Sequence, residues 1–135
     1  MDSALGEEKD KLMYGRLTGR ILGCAIDVHR VLGPGMLEGA YRTCLLHRLQ
    51  MEGMVVKQEE PVTIEFRGFA IETAYRADLI VEDAVLLELK SVEALLPVHE
   101  AQILTYLKLL RVPQGLLINF NVPRLVDGLK SFLVS

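Results

Sequence analysis

The chain has little from which to build a thiolate metal site or a disulfide framework: its two cysteines, Cys24 and Cys44, belong to no CxxC or Cys/His ligand cluster. Both fall in segments that read as helices. They are expected to be buried free thiols in a reducing compartment, which points to a cytoplasmic location. No apolar run reaches the roughly 18 residues of a membrane span. The acidic opening, Met1 to Asp10, does not read as a signal peptide, so no membrane association is expected. A basic excess is missing too. Lys and Arg number 15 against 18 Asp and Glu, for a formal charge of −3, so no global field marks the chain as a nucleic-acid binder. Any such contact must come from a local patch, for which Arg16, Arg20, Arg42, Lys57 and Arg76 are candidates. There is no internal repeat, low-complexity tract or linker. The 135 residues, half of them apolar, suffice for one core and are too few for two, so one α/β domain over residues 1–135 is expected.

Periodicity supplies the elements. Leu17, Ile21, Cys24, Ala25, Val28 and Leu32 recur at helical spacing, which predicts an amphipathic helix over about 11–32, ended by Gly33-Pro34-Gly35. A second helix is expected over about 37–52, with Leu37, Ala40, Tyr41, Cys44, Leu45 and Leu49 available for packing and Gly53 at its end. Strands are expected over 55–58, 62–66, from 69 or 71 to 81, and 85–90. Pro97 opens a further helix to about Leu110, and 116–120 reads as a short apolar strand. The segment 126–133 reads as a terminal helix or helical turn.

What stands out is charge inside an apolar hairpin. Between Tyr75 and Lys90 the strands carry Asp78, Glu88 and Lys90 among leucines, valines and an isoleucine. A charge in such company is costly to bury unless it is paired or bound to a cation. Residues two apart on a strand point the same way, so Glu88 and Lys90 share a face. If Glu82, Asp83 and Ala84 form the turn, Asp78 falls opposite Glu88 and Ile80 opposite Leu86. A two-residue turn without a bulge would set Asp78 against Leu87 and separate the carboxylates. Opposed like charges repel, and a divalent cation between them reverses the sign of that interaction. The plain alternative is a solvated salt-bridge face. Against it, Ile80 and Leu86 occupy the charged face while Leu79, Val81, Val85, Leu87 and Leu89 occupy the other, so neither face reads as simply wet.

Two further polar groups need weighing. Glu38 and Tyr41 lie three apart in the first turns of the second helix, where Glu38 can simply favour the positive helix N-terminus. On the later helix His99, Gln102 and Tyr106 form a polar stripe beside Ala101, Leu104, Leu107 and Leu110. Such a stripe suits a solvent-facing edge as well as a site, and Glu100 suits the helix N-terminus.

Taken together, these residues resemble a known family. Gly35-x-x-Glu38-x-x-Tyr41, preceded by His29-Arg30-Val31-Leu32-Gly33-Pro34, resembles the motif that names the GxxExxY family of small bacterial and archaeal proteins. Tyr75-Arg76-Ala77-Asp78-Leu79, Glu88-Leu89-Lys90-Ser91-Val92-Glu93, Pro97 to Gln102, Tyr106-Leu107-Lys108 and Leu117 to Asn121 are similar to that family as well, in the same order. The resemblance implies a restriction-endonuclease-like core of the PD-(D/E)XK nuclease superfamily: α/β, with a mixed β-sheet flanked by α-helices.

It also implies roles. Asp78 matches the superfamily's metal-binding aspartate, Glu88 the acidic residue of the E-x-K element, and Lys90 its lysine, which together make the implied catalytic set. Glu38 resembles the extra helix carboxylate and would join Asp78 and Glu88 around the metal. Gln102 and Tyr106 resemble a Gln-x-x-x-Tyr motif of the subgroup related to recombination exonucleases, where these residues arrange the site and the substrate. The expected reaction is hydrolysis of nucleic-acid phosphodiester bonds, with DNA the expected substrate and Mg²⁺ or Mn²⁺ the expected cofactor, since hard carboxylate oxygens suit these ions. Two other classes of function stand beside it: a nucleic-acid or protein binding module without turnover, and a homodimeric interaction protein that uses the abundant apolar residues.

Overall fold

The computed structural model describes residues 2–134, with side chains from Gly15 onward apart from Ala74. The order of elements is α1 (Asp2–Leu32), α2 (Glu38–Met51), β1 (Val56–Phe66), β2 (Phe69–Val81), β3 (Val85–Lys90), α3 (Pro97–Leu110), β4 (Gln114–Asn119), a 3-10 turn (Leu125–Gly128) and β5 (Leu129–Leu133). The five strands form one sheet in sequence order. All neighbours are antiparallel except β3 and β4, which run parallel because α3 carries the chain back between them.

Helices cover both faces of the sheet. On one, Ile21, Ala25, Tyr41, Leu45 and Leu49 of α1 and α2 pack on Leu79, Val81, Val85, Leu87 and Leu89. On the other, Ile103, Tyr106 and Leu107 of α3 pack on Ile80, Leu86 and Leu117. The alternation expected for the hairpin is therefore real: both faces are buried, by different helices. Strand β4 is buried at all six positions, as a central strand covered on both sides must be. Gly115 is part of that fit, because a Cβ there would meet the Ile103 and Leu107 side chains of α3 at 2.9–3.0 Å.

Several boundaries differ from the sequence reading. α1 extends to Asp2 rather than starting near Lys11. The two short strands expected over 55–58 and 62–66 are one strand, β1, whose register shifts between Pro61 and Thr63; the irregularity accommodates a proline that cannot donate to the ladder. The expected terminal helix is helical only over Leu125–Gly128, and Leu129–Leu133 is instead strand β5, hydrogen-bonded along β4. Pairing with β4 outweighed a local pattern that was ambiguous between periods. Both cysteines are free, but only Cys24 is buried, while Cys44 faces out from α2. Leu37 is not in the core either. It is the N-cap residue of α2 and is 85% exposed.

The connection between α1 and α2 is held by Tyr41. Its ring is fully buried and stacks on Phe120 with centroids 4.4 Å apart, and its hydroxyl donates to the Gly33 carbonyl at 2.5 Å and accepts from Met36 N–H at 3.1 Å. Gly35, with φ of +97°, supplies the left-handed bend inside this loop. Removing the hydroxyl in Tyr41→Phe leaves the ring packed but strips both loop groups of a partner. A loss of about 1–3 kcal/mol is expected, to be read by chemical denaturation.

Candidate active site

Register determines the site. β2 pairs with β3 only through Val81↔Val85, Ile80↔Leu86 and Leu79↔Leu87, while β1 follows β2 out to Phe66↔Phe69. The turn is the three-residue one: Glu82 and Asp83 are both left-handed (φ 54° and 52°), Ala84 N–H donates to the Val81 carbonyl at 3.0 Å, and Ala84 is the extra residue that sets Val81 against Val85. The next pair in this register is Asp78 and Glu88, and there the ladder opens. Past it, β2 leaves with β1 as a two-stranded arm, while β3 stays with β4 as far as Lys90↔Asn119.

The carboxylates replace the missing ladder bonds. Asp78 N–H donates to Glu88 Oε1 at 3.1 Å, and Leu89 N–H donates to Asp78 Oδ2 at 2.8 Å. Each side chain is thus fixed by the backbone of the opposite strand, and both residues are buried. The other oxygen of Asp78 lies 3.6 Å from the Arg42 guanidinium, and Arg42 reaches Glu59 at 3.4 Å. Among the described residues, Glu88 Oε2 accepts no hydrogen bond.

Burial next to like charge raises the proton affinity of this cluster. Glu88 is pushed up to about 8, first by burial and then by the Asp78 charge, against the Asp78 N–H and Lys90. Asp78 is raised by burial, a shift opposed by the Leu89 N–H, Arg42 and Lys90. Glu38, the first residue of α2, is raised by burial and by Asp78, so it feels the same field.

The α3 side closes the site. Lys90 Nζ donates to Gln102 Oε1 at 3.4 Å, and Gln102 Nε2 donates to Tyr106 Oη at 3.0 Å. Tyr106 is buried, and its hydroxyl is raised by burial and by the Glu88 charge. The stripe on α3 therefore faces inward through Gln102 and Tyr106. His99 belongs to the helix start: its Nδ1 accepts from Leu96 N–H at 2.9 Å and caps α3. The loop before α3 is tied by buried Asn119, which accepts from Val92 N–H at 3.1 Å and donates to the Val92 carbonyl at 2.9 Å.

Asp78, Glu88, Lys90, Gln102 and Tyr106 are thus linked as one set, with Glu38 within electrostatic reach. Among the described residues, no three His, Cys, Asp or Glu side chains close into a ready-made metal cluster. The donor set nevertheless fits a hard divalent ion that keeps most of its waters: a pair of fixed carboxylates, one oxygen free, in a site whose own repulsion a cation would relieve. Sequence reasoning had Arg42 only as a member of a dispersed basic patch. That patch does not assemble as a whole, because Arg20 donates to the Glu52 carbonyl and Lys57 pairs with Asp83. Arg42 and Arg76 do come together, at the side chain and the carbonyl of Glu59, beside Asp78. Glu59 itself is left-handed (φ 50°), just before the β1 irregularity.

No match was found among curated proteins or among solved structures. The family model of the PD-(D/E)XK nuclease superfamily matches residues 15–132, from within α1 to within β5, a span that includes the candidate site residues named above. Members of that superfamily generally depend on a divalent metal, act on nucleic acid and have a restriction-endonuclease-like α/β fold of the kind described here. A match over that much of its length shows that the chain belongs to the PD-(D/E)XK nuclease superfamily.

Proposed function

We propose that the protein is a metal-dependent nuclease that hydrolyses phosphodiester bonds, of DNA in the first instance, at the fork between β2 and β3. The observation that carries this reading is the crossed tether of Asp78 and Glu88, which fixes two buried carboxylates side by side with Lys90 two residues further on. The Gly35-x-x-Glu38-x-x-Tyr41 motif places the chain, in this reading, in the GxxExxY group, as a cytoplasmic protein with one nuclease-like domain over residues 1–135.

Asp78 and Glu88 would hold Mg²⁺ or Mn²⁺, with Glu38 bound through water or to a second ion. Such an ion, when bound, polarises the phosphoryl oxygen and makes a coordinated water acidic. Lys90 orients the attacking water and stabilises charge that develops on the phosphate. Gln102 aims the Lys90 ammonium, and Tyr106 aims Gln102. Arg42 and Arg76 are positioned to take phosphate oxygens by charge-assisted hydrogen bonds.

The second reading, a binding module without turnover, is favoured by the Arg42 guanidinium, which already neutralises part of the Asp78 charge. Calorimetric titration with Mn²⁺ separates the two, since only a working site takes up the ion through Asp78 and Glu88. The decisive assay incubates purified protein with single- and double-stranded DNA and RNA plus Mg²⁺ or Mn²⁺, beside Asp78→Ala. Cleavage is expected from the wild type and is expected to fall at least 100-fold in the variant. Cleavage that persists in Asp78→Ala would place the activity elsewhere.

A further inference from the structure

The two-stranded arm that β1 and β2 form beyond the fork has one apolar and one polar face. Cross-strand partners share a face, so the pairs Phe66↔Phe69 and Ile64↔Ile71 stand on one side, and Glu65↔Ala70 and Thr63↔Glu72 on the other. An arm of a nuclease exposed only to water would gain nothing from four large apolar side chains on one face, yet Phe66 and Phe69 are 62% and 69% exposed.

Through Ile64 this face reaches a groove of about 300 Å³ that lies between the arm and α3. Ile64 and Tyr75 contribute from the arm, and Val98, Thr105 and Leu109 from the helix. The inner end of the groove is Gln102 and Tyr106, the pair that aims Lys90. Tyr75 lies with its ring centroid 6.3 Å from that of Tyr106 at an interplanar angle of 47°, and is 57% exposed. The groove lining holds no lysine, arginine, aspartate or glutamate.

We propose that this groove takes the unpaired bases of a single-stranded nucleic-acid segment as it leaves the cleavage site, with Tyr75 as the stacking platform. The inference rests on the nuclease reading and adds to it the substrate class, an unpaired strand. Continuity with Lys90 argues for the substrate as occupant, because anything lying in the groove reaches the reacting phosphate. An exposed ring at the mouth and uncharged walls suit base faces, whereas a duplex presents phosphates and would need cationic walls. Such binding depends on salt only weakly, since the groove lining holds no cation to neutralise a phosphate.

The test measures binding of labelled single-stranded and duplex oligonucleotides by fluorescence anisotropy, in chelator so that no turnover occurs, with sedimentation to record the oligomeric state. The single strand is expected to bind at least tenfold more tightly than the duplex. A plot of log affinity against log salt is expected to be shallower than about −2, the value for roughly three phosphates on a single strand. Tyr75→Ala is expected to weaken single-strand binding about tenfold, and Tyr75→Phe to restore it. Glu72→Ala, on the polar face of the arm, controls for damage to the arm itself and is expected to leave binding unchanged. Equal affinity for duplex, or an unchanged affinity in Tyr75→Ala, overturns the proposal. The two readings fail separately. Metal-dependent cleavage that ignores Tyr75 leaves the nuclease and removes the groove, whereas Tyr75-dependent binding with no cleavage under Mg²⁺ or Mn²⁺ leaves the groove and removes the hydrolysis.

Discussion

Glu88→Gln is expected to raise the stability of the metal-free protein at pH 8, to flatten its dependence on pH, and to abolish both metal binding and cleavage. The proton affinity of Glu88 moves from an ordinary 4.5 to about 8 because the residue is buried beside Asp78. A carboxyl raised in the folded state stabilises the fold fully below the unfolded value, near 4.5, and loses that contribution as pH rises through about 8. The metal-free wild type should therefore lose stability on the order of a few kcal/mol between pH 5 and 9, the reverse of an ordinary salt-bridged carboxylate. Asp78 shifts in the same direction and adds to the slope. Glutamine keeps an oxygen for the Asp78 N–H and is neutral throughout, so the variant's stability should vary less with pH than the wild type's, with only the slope from Asp78 remaining. At about 4 °C per kcal/mol for a chain of this size, the difference at pH 8 is readable by calorimetry. Mn²⁺ competes with the proton on Glu88 and should raise the wild-type melting temperature more at pH 8 than at pH 6, and should do nothing for the variant. A wild type whose stability is level from pH 5 to 9 would mean that Glu88 is not the buried, repelled group described above.

The hairpin was the most legible part of the chain because its chemistry is local. Strand alternation and a three-residue turn are enough to put Asp78, Glu88 and Lys90 on one face, and the register came out as that reading required. The same logic explains why Gln102 and Tyr106 were ambiguous: a polar stripe on a helix looks alike whether water or a half-buried lysine is opposite, and only the β3–α3–β4 crossover decides. Helices α2 and α3 were legible to within a residue or so from their caps and periodicity. β5 was not, since Leu129 to Leu133 has little preference of its own and takes strand geometry from the open edge of β4. The opening of the ladder at Asp78 was also invisible. Nothing in the sequence says that a backbone N–H will bond a carboxylate across the strand instead of a carbonyl, and that substitution is what turns two charges on a face into a site. Arg42 was hidden for a similar reason, since its reach from α2 to Asp78 depends on how the helix sits on the sheet and leaves no mark in the local pattern.

Lys90→Met is expected to lower kcat by about 100- to 1,000-fold while leaving metal binding and oligonucleotide affinity nearly intact. Methionine keeps the unbranched stem and its packing, so the change removes the ammonium and little else. That ammonium sits two residues from Glu88 and donates to Gln102 Oε1, in a position to act on the reacting phosphate or its water rather than on the metal. A loss confined to kcat is the signature of an interaction made only in the transition state, whereas a loss confined to KM would make Lys90 a simple phosphate binder. Gln102→Ala gives the contrasting case. It leaves the charge in place and removes its tether, so a smaller fall in kcat is expected, about tenfold, with part of it recovered in a variant such as Gln102→Asn that can still accept from the lysine. Lys90→Arg should restore little, because a planar guanidinium cannot place a single proton donor where the ammonium stood. Equal activity in Lys90→Met and wild type would remove the lysine from the chemistry and reduce it to a counter-charge that limits the rise in proton affinity of Asp78 and Glu88.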